Sequence, residues 1–261
     1  MATRIYYFTG TGNSLWAAHT LATRLGATEP TPVVRALREG ALAPTEDRIG
    51  LVCPVYMYRL PYLVREFLDK LQTKAPLFLV LTGGGDPGDA IAQVQRQCER
   101  RGFDLAQGLF CAVQSNYTPF GGAPEAPELA ERLQKAAARL EEIAGILERG
   151  ERVVESAHSA LRAWVHPGLL YRLGYKYIPV TDKSFLVDPA CTGCGICAQV
   201  CPVANLVLVD GRPTWKNACQ QCLACMQWCP AEAIQVKDKT RGLRRYHHPA
   251  VKVRDLIAQK E

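Results

Sequence analysis

Short runs of apolar and β-branched residues alternate, over the first 150 residues, with longer segments whose apolar positions recur at helical spacing. The predicted helices cover residues 15–25, 63–71, 90–101 and 127–148. Strands that alternate with helices form a parallel sheet covered on both faces, so the pattern predicts an α/β domain with a doubly wound parallel sheet. The predicted strands cover residues 4–8, 48–53, 77–81 and 109–113, with a weaker candidate at 32–34.

The loop after the first predicted strand combines two glycines with hydroxyl and amide side chains and leads directly into a helix. Glycine lets backbone N–H groups approach an anion, and a helix N-terminus favours negative charge. The loop therefore predicts a phosphate site, the alternative being a turn that only caps the helix. Leu15 replaces the third glycine of a dinucleotide loop, and the Gly-Lys pair of a nucleoside-triphosphate loop is absent. The candidate residues are Thr9, Gly10, Thr11, Gly12, Asn13 and Ser14.

Two further loops follow predicted strands and are expected at the same edge, because ligands bind at the carboxyl ends of the strands in such sheets. One offers flat or polarizable side chains and the other is rich in glycine, so both suit a planar ligand; packing and a simple turn are the alternatives. Arg59, in the first of these loops, either borders the ligand or lies on the surface. Residues 115–122 follow the strand predicted at 109–113 and either form a wall of the site or simply turn the chain. The candidate residues are Pro54, Val55, Tyr56, Met57, Tyr58, Thr82, Gly83, Gly84 and Gly85.

Eight of the eleven cysteines form two copies of the pattern C-x-x-C-x-x-C-x-x-x-C-P, and each cysteine of the second copy lies 28 positions after its counterpart. Three thiolates at this spacing can bind successive corners of an iron–sulfide cube, which needs a fourth from elsewhere. Zinc is the alternative, but zinc sites typically use two separated pairs. A disulfide framework is disfavoured because no signal peptide precedes the first strand. The predicted metal ligands are Cys191, Cys194, Cys197, Cys201, Cys219, Cys222, Cys225 and Cys229.

Residues 184–236 contain both complete motifs and resemble the bacterial two-cluster ferredoxins. This resemblance implies two 4Fe-4S clusters, each completed by the fourth cysteine of the other run. The first domain resembles flavodoxins in its three loops, which implies FMN. The whole chain resembles bacterial flavodoxin–ferredoxin fusion proteins, which implies electron transfer. One implied ligand set is Cys191, Cys194, Cys197 and Cys229, and the other is Cys219, Cys222, Cys225 and Cys201.

The expected fold is a flavodoxin-like doubly wound parallel sheet followed by a small α+β ferredoxin domain. The expected organisation is an FMN-binding domain of residues 1–150, a helical connector of 151–183, a ferredoxin domain of 184–236 and a basic tail of 237–261.

Within the connector, a helix is predicted at residues 153–165, and within the ferredoxin domain a hairpin is predicted with its turn at Asp210-Gly211. Trp215 and Trp228 are predicted to shield the clusters. The tail holds eight Lys and Arg residues and is interpreted as a solvated segment, the alternative being that it folds back over the flavin or the clusters. Three further cysteines are predicted to be buried apolar side chains, namely Cys53, Cys98 and Cys111.

The formal net charge of the chain is +6. Two oxidised clusters with their thiolates carry about −2 each and an FMN phosphate about −2, so the bound cofactors would bring the charge close to zero. The basicity therefore does not indicate nucleic-acid binding. No apolar run approaches the ~18 residues of a membrane-spanning helix. We expect a soluble, cytoplasmic protein.

These features favour an electron-transfer iron–sulfur flavoprotein, in which electrons pass between two 4Fe-4S clusters and FMN and reduce a partner protein or a small molecule. The first alternative is an FMN-dependent dehydrogenase or reductase of the quinone-reductase or protoporphyrinogen-oxidase type, with the clusters as the electron exit. No nicotinamide-binding motif is visible in the chain. The second alternative is a redox sensor. The donor, the acceptor and the oligomeric state stay open.

Overall fold

A computed structural model describes residues 1–155 and 174–261. Its largest feature is a six-stranded sheet in which all neighbouring strands run parallel. The strand order is 2-1-3-4-5-6, and its first five positions follow the flavodoxin-like order. The prediction of a parallel α/β sheet is therefore confirmed. The strands are β1 (Thr3–Tyr7), β2 (Thr31–Pro32), β3 (Arg48–Pro54), β4 (Leu77–Gly83), β5 (Leu105–Ala112) and β6 (Val153–Val154).

Five helices cover this sheet, namely α1 (Asn13–Leu25), α2 (Val33–Glu39), α3 (Tyr62–Lys70), α4 (Ala90–Arg101) and α5 (Ala126–Arg149). Helices α1 and α5 pack against each other, and α3 contacts both α2 and α4. Strands β3 and β4 are buried almost throughout, as strands are when helices cover both faces. In α5, Leu140, Ile143 and Leu147 recur at helical spacing and are fully buried against the core.

Two predicted elements of this domain are wrong in part. The candidate second strand shrinks to Thr31–Pro32 because Val33 begins α2, a helix that the sequence pattern did not reveal. The helix predicted from residue 153 is wrong at its start, because Val153–Val154 instead pairs in parallel with β5. Residues 156–165 of that predicted helix lie outside the described residues.

The cysteine-rich unit spans residues 185–236 and consists of two antiparallel strand pairs and two short helices. The elements are β7 (Phe185–Val187), α6 (Ile196–Gln199), β8 (Leu206–Val209), β9 (Arg212–Trp215), α7 (Ala224–Gln227) and β10 (Ile234–Val236). The hairpin of β8 and β9 is confirmed, with its turn at Asp210 and Gly211, whose φ angles are 49° and 75°. Strand β10 pairs with β7.

The 28-residue repeat extends to the backbone of this unit. Helices α6 and α7 start 28 residues apart, and each follows a residue with positive φ, Gly195 at 77° and Leu223 at 57°. The pairing of residue 206 with 215 in one strand pair recurs as the pairing of residue 234 with 187 in the other. The two halves of the unit are therefore two copies of one structural motif.

The tail of residues 237–261 packs against both parts of the molecule. Tyr246 is 3 % exposed and Leu256, in helix α8 (Val253–Ile257), is fully buried. Arg35 of α2 donates to the Ala258 carbonyl at 3.0 Å, and Lys260 donates to the Ala198 carbonyl at 3.0 Å. The interpretation of the tail as a solvated segment is therefore wrong. A charged segment can still pack against the protein when its few apolar side chains are buried there.

Cys53, Cys98 and Cys111 are buried in the core of the α/β domain, as predicted. Burial raises the pKa of the Cys98 thiol to about 11 and that of the Cys111 thiol to about 12. None of the helices found in residues 1–155 and 174–261 has the length and apolar character needed to cross a membrane.

Candidate functional site

A cavity of about 410 Å³, here called the main cavity, opens at the carboxyl ends of the parallel strands. Its volume lies in the range of about 300–1,000 Å³ that is usual for small-molecule sites. All three predicted loops reach it, as does a fourth loop after β5; Gly12 is the predicted residue that does not line it. The lining residues are Thr9, Gly10, Thr11, Asn13, Ser14, Pro54, Val55, Tyr56, Met57, Tyr58, Thr82, Gly83, Gly84, Gly85, Asp86, Gln114, Ser115, Asn116, Tyr117, Phe120, Gly174, Thr181 and Gln221.

The loop between β1 and α1 presents backbone donors to the main cavity. Gly12 has a φ of 97°, which favours glycine, and its N–H group donates to the Thr9 hydroxyl at 3.0 Å. Within the described part of the chain, the N–H groups of Gly10, Thr11 and Asn13 donate to no protein acceptor. These groups stand free at the N-terminus of a thirteen-residue helix, an arrangement that binds anions.

The loop after β3 is closed by a bridge between Tyr56 and Arg59, whose backbone groups exchange hydrogen bonds of 2.9 and 3.0 Å. Met57 and Tyr58 lie at its tip with positive φ angles of 50° and 59°. Such strained conformations cluster at functional sites. The Arg59 guanidinium lies 5.4 Å from the ring centre of Tyr175. Arg59 is therefore directed at Tyr175 and does not form part of the cavity wall.

The fourth loop, residues 114–120, supplies a wall of the main cavity, so the interpretation of this segment as a simple turn is wrong. Asn13 donates to the Gln114 carbonyl at 2.9 Å and thereby ties the first loop to the fourth. The Tyr56 hydroxyl lies near Asn116. Burial raises the pKa of Tyr56 well above the ordinary value, which keeps the hydroxyl protonated. The sequence signal for this loop is its position directly after a buried strand.

Two smaller cavities lie in the cysteine-rich unit, and four cysteines line each of them. Each set takes three cysteines from one run and the fourth from the other. The outer set is Cys191, Cys194, Cys197 and Cys229, and the inner set is Cys201, Cys219, Cys222 and Cys225. Of the two tryptophans predicted to shield clusters, Trp215 lines the inner cavity and Trp228 lines neither.

The four cysteines of each set line one small cavity. In the described residues, no group of three or more His, Cys, Asp or Glu side chains is arranged to hold a metal ion. Backbone donors reach two of the sulfurs at equivalent places in the repeat: the Asn205 N–H donates to Cys201 Sγ at 3.2 Å, and the Ala233 N–H to Cys229 Sγ at 3.4 Å. Such donors stabilise the thiolate form.

The two sets differ in exposure. Cys194 is exposed and Cys191 and Cys229 are partly exposed, whereas all four inner cysteines are buried. Burial raises the pKa of Cys219 to about 11, and it raises that of Cys222 further. Burial therefore favours the protonated form of the Cys219 and Cys222 thiols.

The inner set adjoins the main cavity. Gln221 lines the main cavity, and its neighbour Cys222 lines the inner one. The backbone of Gly10 lies directly against Cys222, because a Cβ atom at Gly10 would overlap the Cys222 carbonyl oxygen. Asn116 Nδ2 donates to the same carbonyl at 3.2 Å. Loops after β1 and β5 therefore both contact the segment that carries an inner cysteine.

Tail residues hold the loop between β1 and α1 from behind. The Tyr246 hydroxyl donates to Asn13 Oδ1 at 2.6 Å. The Gln259 side-chain amide pairs with the backbone of Thr9 through two bonds of 3.2 Å, one donated by each residue. No ligand motif or periodicity in the tail indicates these contacts.

Two consecutive histidines of the tail bridge the sheet domain and the cysteine-rich unit. His247 stacks on Trp228 of the cysteine-rich unit, with ring centres 4.2 Å apart, and His248 stacks on Trp16 of α1 at 4.6 Å. The backbone N–H of His248 donates to the Thr11 carbonyl at 2.8 Å. The tail therefore fixes one part of the molecule against the other.

No protein-family model matches this chain, and no curated protein matches it. Several solved structures are similar in part. Trp repressor binding protein from Bacillus subtilis is 14 % identical, with 54 % of this chain and 96 % of that chain covered and a TM-score of 0.39. Two-electron reduced flavodoxin from Megasphaera elsdenii is 22 % identical, with 53 % and 99 % covered and a TM-score of 0.35. An oxidoreductase from Corynebacterium diphtheriae is 15 % identical, with 57 % and 98 % covered and a TM-score of 0.37. Similarity at this level does not bear on the activity of this chain.

Proposed function

We propose that the protein is an electron-transfer iron–sulfur flavoprotein that binds FMN in the main cavity and one 4Fe-4S cluster at each cysteine set. The observation that carries this proposal is the shared wall, because the segment Gln221–Cys222 lies between the inner set and the main cavity. When bound, the clusters would carry single electrons and the flavin one or two. The two kinds of site adjoin each other, as a relay requires.

The main cavity fits a flat cofactor with a single phosphate. The free N–H groups of Gly10, Thr11 and Asn13 would hold the phosphate at the N-terminus of α1. Among the described residues that line this cavity, none is Lys or Arg, so the helix dipole and the N–H groups would have to balance the phosphate charge. Met57 and Tyr58 would lie against the flat ring system.

The cysteine-rich unit fits two clusters, and this arrangement supports a two-cluster ferredoxin module. The fourth cysteine of each run lies in the cavity of the other run, which is the partition expected in such ferredoxins. The third cysteine and the Cys-Pro ending of each run have no use in a zinc site built from two separated pairs, whereas three cysteines of each run line one cavity here. The N–H donors at Cys201 and Cys229 would stabilise the ligating thiolates.

The exposure of the cysteines suggests an order for the relay. Cys194 of the outer set is exposed, so an external redox protein would exchange electrons there. The inner set is buried and adjoins the main cavity, because Cys222 lines the inner cavity and its chain neighbour Gln221 lines the main one. Electrons would therefore pass between the partner protein and the flavin site through the outer and then the inner set.

The rim of the main cavity favours a small organic molecule as the second partner. Phe120 lines the cavity, is 92 % exposed, and lies 4.8 Å edge-to-face from the Tyr117 ring. Exposed aromatic rings suit a planar molecule. The second candidate function uses the same rim: a dehydrogenase or reductase of the quinone-reductase or protoporphyrinogen-oxidase type, with the outer set as the electron exit.

The first experiment is the metal and flavin content of protein reconstituted anaerobically. About eight iron and eight sulfide per chain are expected from two complete ligand sets, together with one FMN. Replacing Cys229 by Ala should remove the outer cluster and about half of the iron. Cys98→Ala is the matched control, since Cys98 is a buried cysteine outside both sets. Zinc in place of iron, or no metal at all, would contradict the proposal.

The second experiment tests the relay. Flavin absorbance is followed after addition of a one-electron ferredoxin-type donor, in the full chain and in Cys229→Ala. The proposal expects slower flavin reduction in Cys229→Ala and an unchanged rate in Cys98→Ala. Equal rates in all three would place the clusters off the route. Rapid reduction by NAD(P)H alone would instead favour the dehydrogenase function.

A further inference from the structure

We propose that the loop of the inner cysteine set is a wall of the flavin site, so that FMN binding and the presence of the inner cluster are thermodynamically linked, whereas the outer cluster has no such link. This inference rests on the proposed function, because it takes FMN and the clusters as the ligands. It adds that the inner cluster has a second role, as a structural support of the neighbouring site.

The contact between Gly10 and Cys222 carries the first step. A Cβ atom at Gly10 would overlap the Cys222 carbonyl oxygen and would lie 3.1 Å from the Cys222 Cβ atom. Two backbone segments in such close contact cannot shift independently. Trp228 Nε1 donates to the Gly10 carbonyl at 3.0 Å and adds a second connection from the cysteine-rich unit. A displacement of the Cys222 segment would therefore reach the loop that presents the phosphate donors.

Gln221 carries the second step. It has a positive φ of 54°, its N–H donates to Cys219 Sγ at 3.2 Å, and it lines the main cavity. Gln221 thus lies between two cysteines of the inner set, Cys219 and Cys222, and also lines the main cavity. A bound cluster fixes the sulfur positions of Cys219 and Cys222. Loss of the cluster would free this segment and loosen one wall of the main cavity.

The outer set provides a natural comparison, because the repeat gives it the same backbone in different surroundings. The counterpart of Gln221 is Gly193, whose φ is 70°; a Cβ atom there would lie 2.9 Å from the Gly211 carbonyl oxygen of the hairpin turn. Among the residues that the structure describes, none that lines the outer cavity is a chain neighbour of a residue that lines the main cavity, whereas Gln220 and Cys222 of the inner cavity flank Gln221. The outer loop therefore supports the hairpin and does not support the flavin site.

The test compares Cys201→Ser with Cys229→Ser, two equivalent positions of the repeat that each complete one set and lie outside the main cavity wall. Iron analysis first establishes that each variant lost one cluster. FMN affinity is then measured by the quenching of flavin fluorescence. Cys201→Ser should weaken FMN binding by about 5- to 150-fold, the usual range for coupled sites, and Cys229→Ser should leave it unchanged. Unchanged affinity in both variants, or equal weakening, would overturn the inference.

A second measurement needs no variant, since linkage is reciprocal and FMN must stabilise the inner cluster by the same factor at equilibrium. The iron retained by the full chain is titrated with a chelator at equilibrium, with and without FMN. We expect two steps, of which FMN shifts the one that belongs to the buried inner set to higher chelator concentration. If FMN shifts neither step or both equally, the linkage is absent although the proposed function stands. A chain that binds no iron or no FMN would overturn both.

Discussion

Replacing Tyr246 by Phe should loosen the tail from the loop between β1 and α1. The Tyr246 hydroxyl donates to Asn13 Oδ1 at 2.6 Å, and the two residues are only 3 % and 7 % exposed. The substitution keeps the ring but leaves a buried amide oxygen without its donor, which costs about 1–3 kcal/mol. The hydroxyl and its acceptor lie 233 positions apart in the chain, so the hydrogen bond forms only when the tail is docked. Its loss therefore destabilises the docked tail relative to the open tail.

Limited trypsin digestion measures that docking, because the tail carries Arg244, Arg245 and Lys252. When opening and closing are fast relative to cleavage, the cleavage rate follows the opening equilibrium. A cost of about 1–3 kcal/mol then corresponds to cleavage about 5- to 150-fold faster, since about 1.4 kcal/mol is a factor of ten. The tail fragments are quantified by mass spectrometry under native conditions.

Tyr177→Phe is the matched control, because Tyr177 is 65 % exposed and loses a hydroxyl that faces solvent. Its tail should be cleaved at the rate of the unmodified chain. If Tyr246→Phe is cleaved no faster than Tyr177→Phe, the hydrogen bond to Asn13 contributes nothing to the docking. The tail would then be held by its apolar contacts, such as that of Leu256.

Three further predictions concern buried titratable groups. Asp182 is 2 % exposed and accepts hydrogen bonds from Asn205 and Asn217 near the inner set, so Asp182→Asn should raise the reduction potential of the proposed inner cluster in a titration followed by electron paramagnetic resonance. Asp210 is its exposed counterpart in the repeat, and Asp210→Asn should change that potential little. Burial lowers the pKa of His248 from 6.5 to about 4, so the open tail binds a proton more readily than the docked one. Docking of the tail should therefore weaken as the pH falls from 6.5 towards 4. Hydrogen exchange in the tail at several pH values would show this weakening, and His248→Phe should reduce its pH dependence. Cys98 and Cys111, with pKa values raised to about 11 and about 12, should resist alkylation at mildly alkaline pH until the protein unfolds; labelling of the native chain would contradict their buried placement.

The sequence predicted the sheet and the three loops because both depend on local patterns. Strands such as β3 and β4 are continuous apolar runs, and the rule that loops meet at the carboxyl ends of parallel strands needs no knowledge of distant contacts. Glycine and hydroxyl residues at 9–14 were predicted as a phosphate loop for the same local reason. Helix α2 was missed because its first residues, Val33 and Val34, are β-branched and typical of strands.

The tail and the shared wall could not be predicted, because they depend on contacts between distant parts of the chain. Gln259 reaches Thr9 across 250 positions, and Cys222 reaches Asn116 across 106. The buried residues of the tail are irregularly spaced and include polar ones such as Thr240 and Gln259, so they form no apolar stripe. Strand β6 has only two residues, and its pairing with β5, rather than its own sequence, makes it a strand.

The pairing of Gln259 with Thr9 has a consequence for synthesis on the ribosome. The loop that would hold the phosphate receives a buried partner from a residue made 250 positions later. At about 5–20 residues per second, that interval lasts about 12–50 s. During this time a nascent chain has the sheet and the loop without the tail that fixes them. If the main cavity binds FMN as proposed, stable retention of FMN is expected to begin only after the tail has left the ribosomal tunnel, so the sheet domain without the tail does not hold it stably.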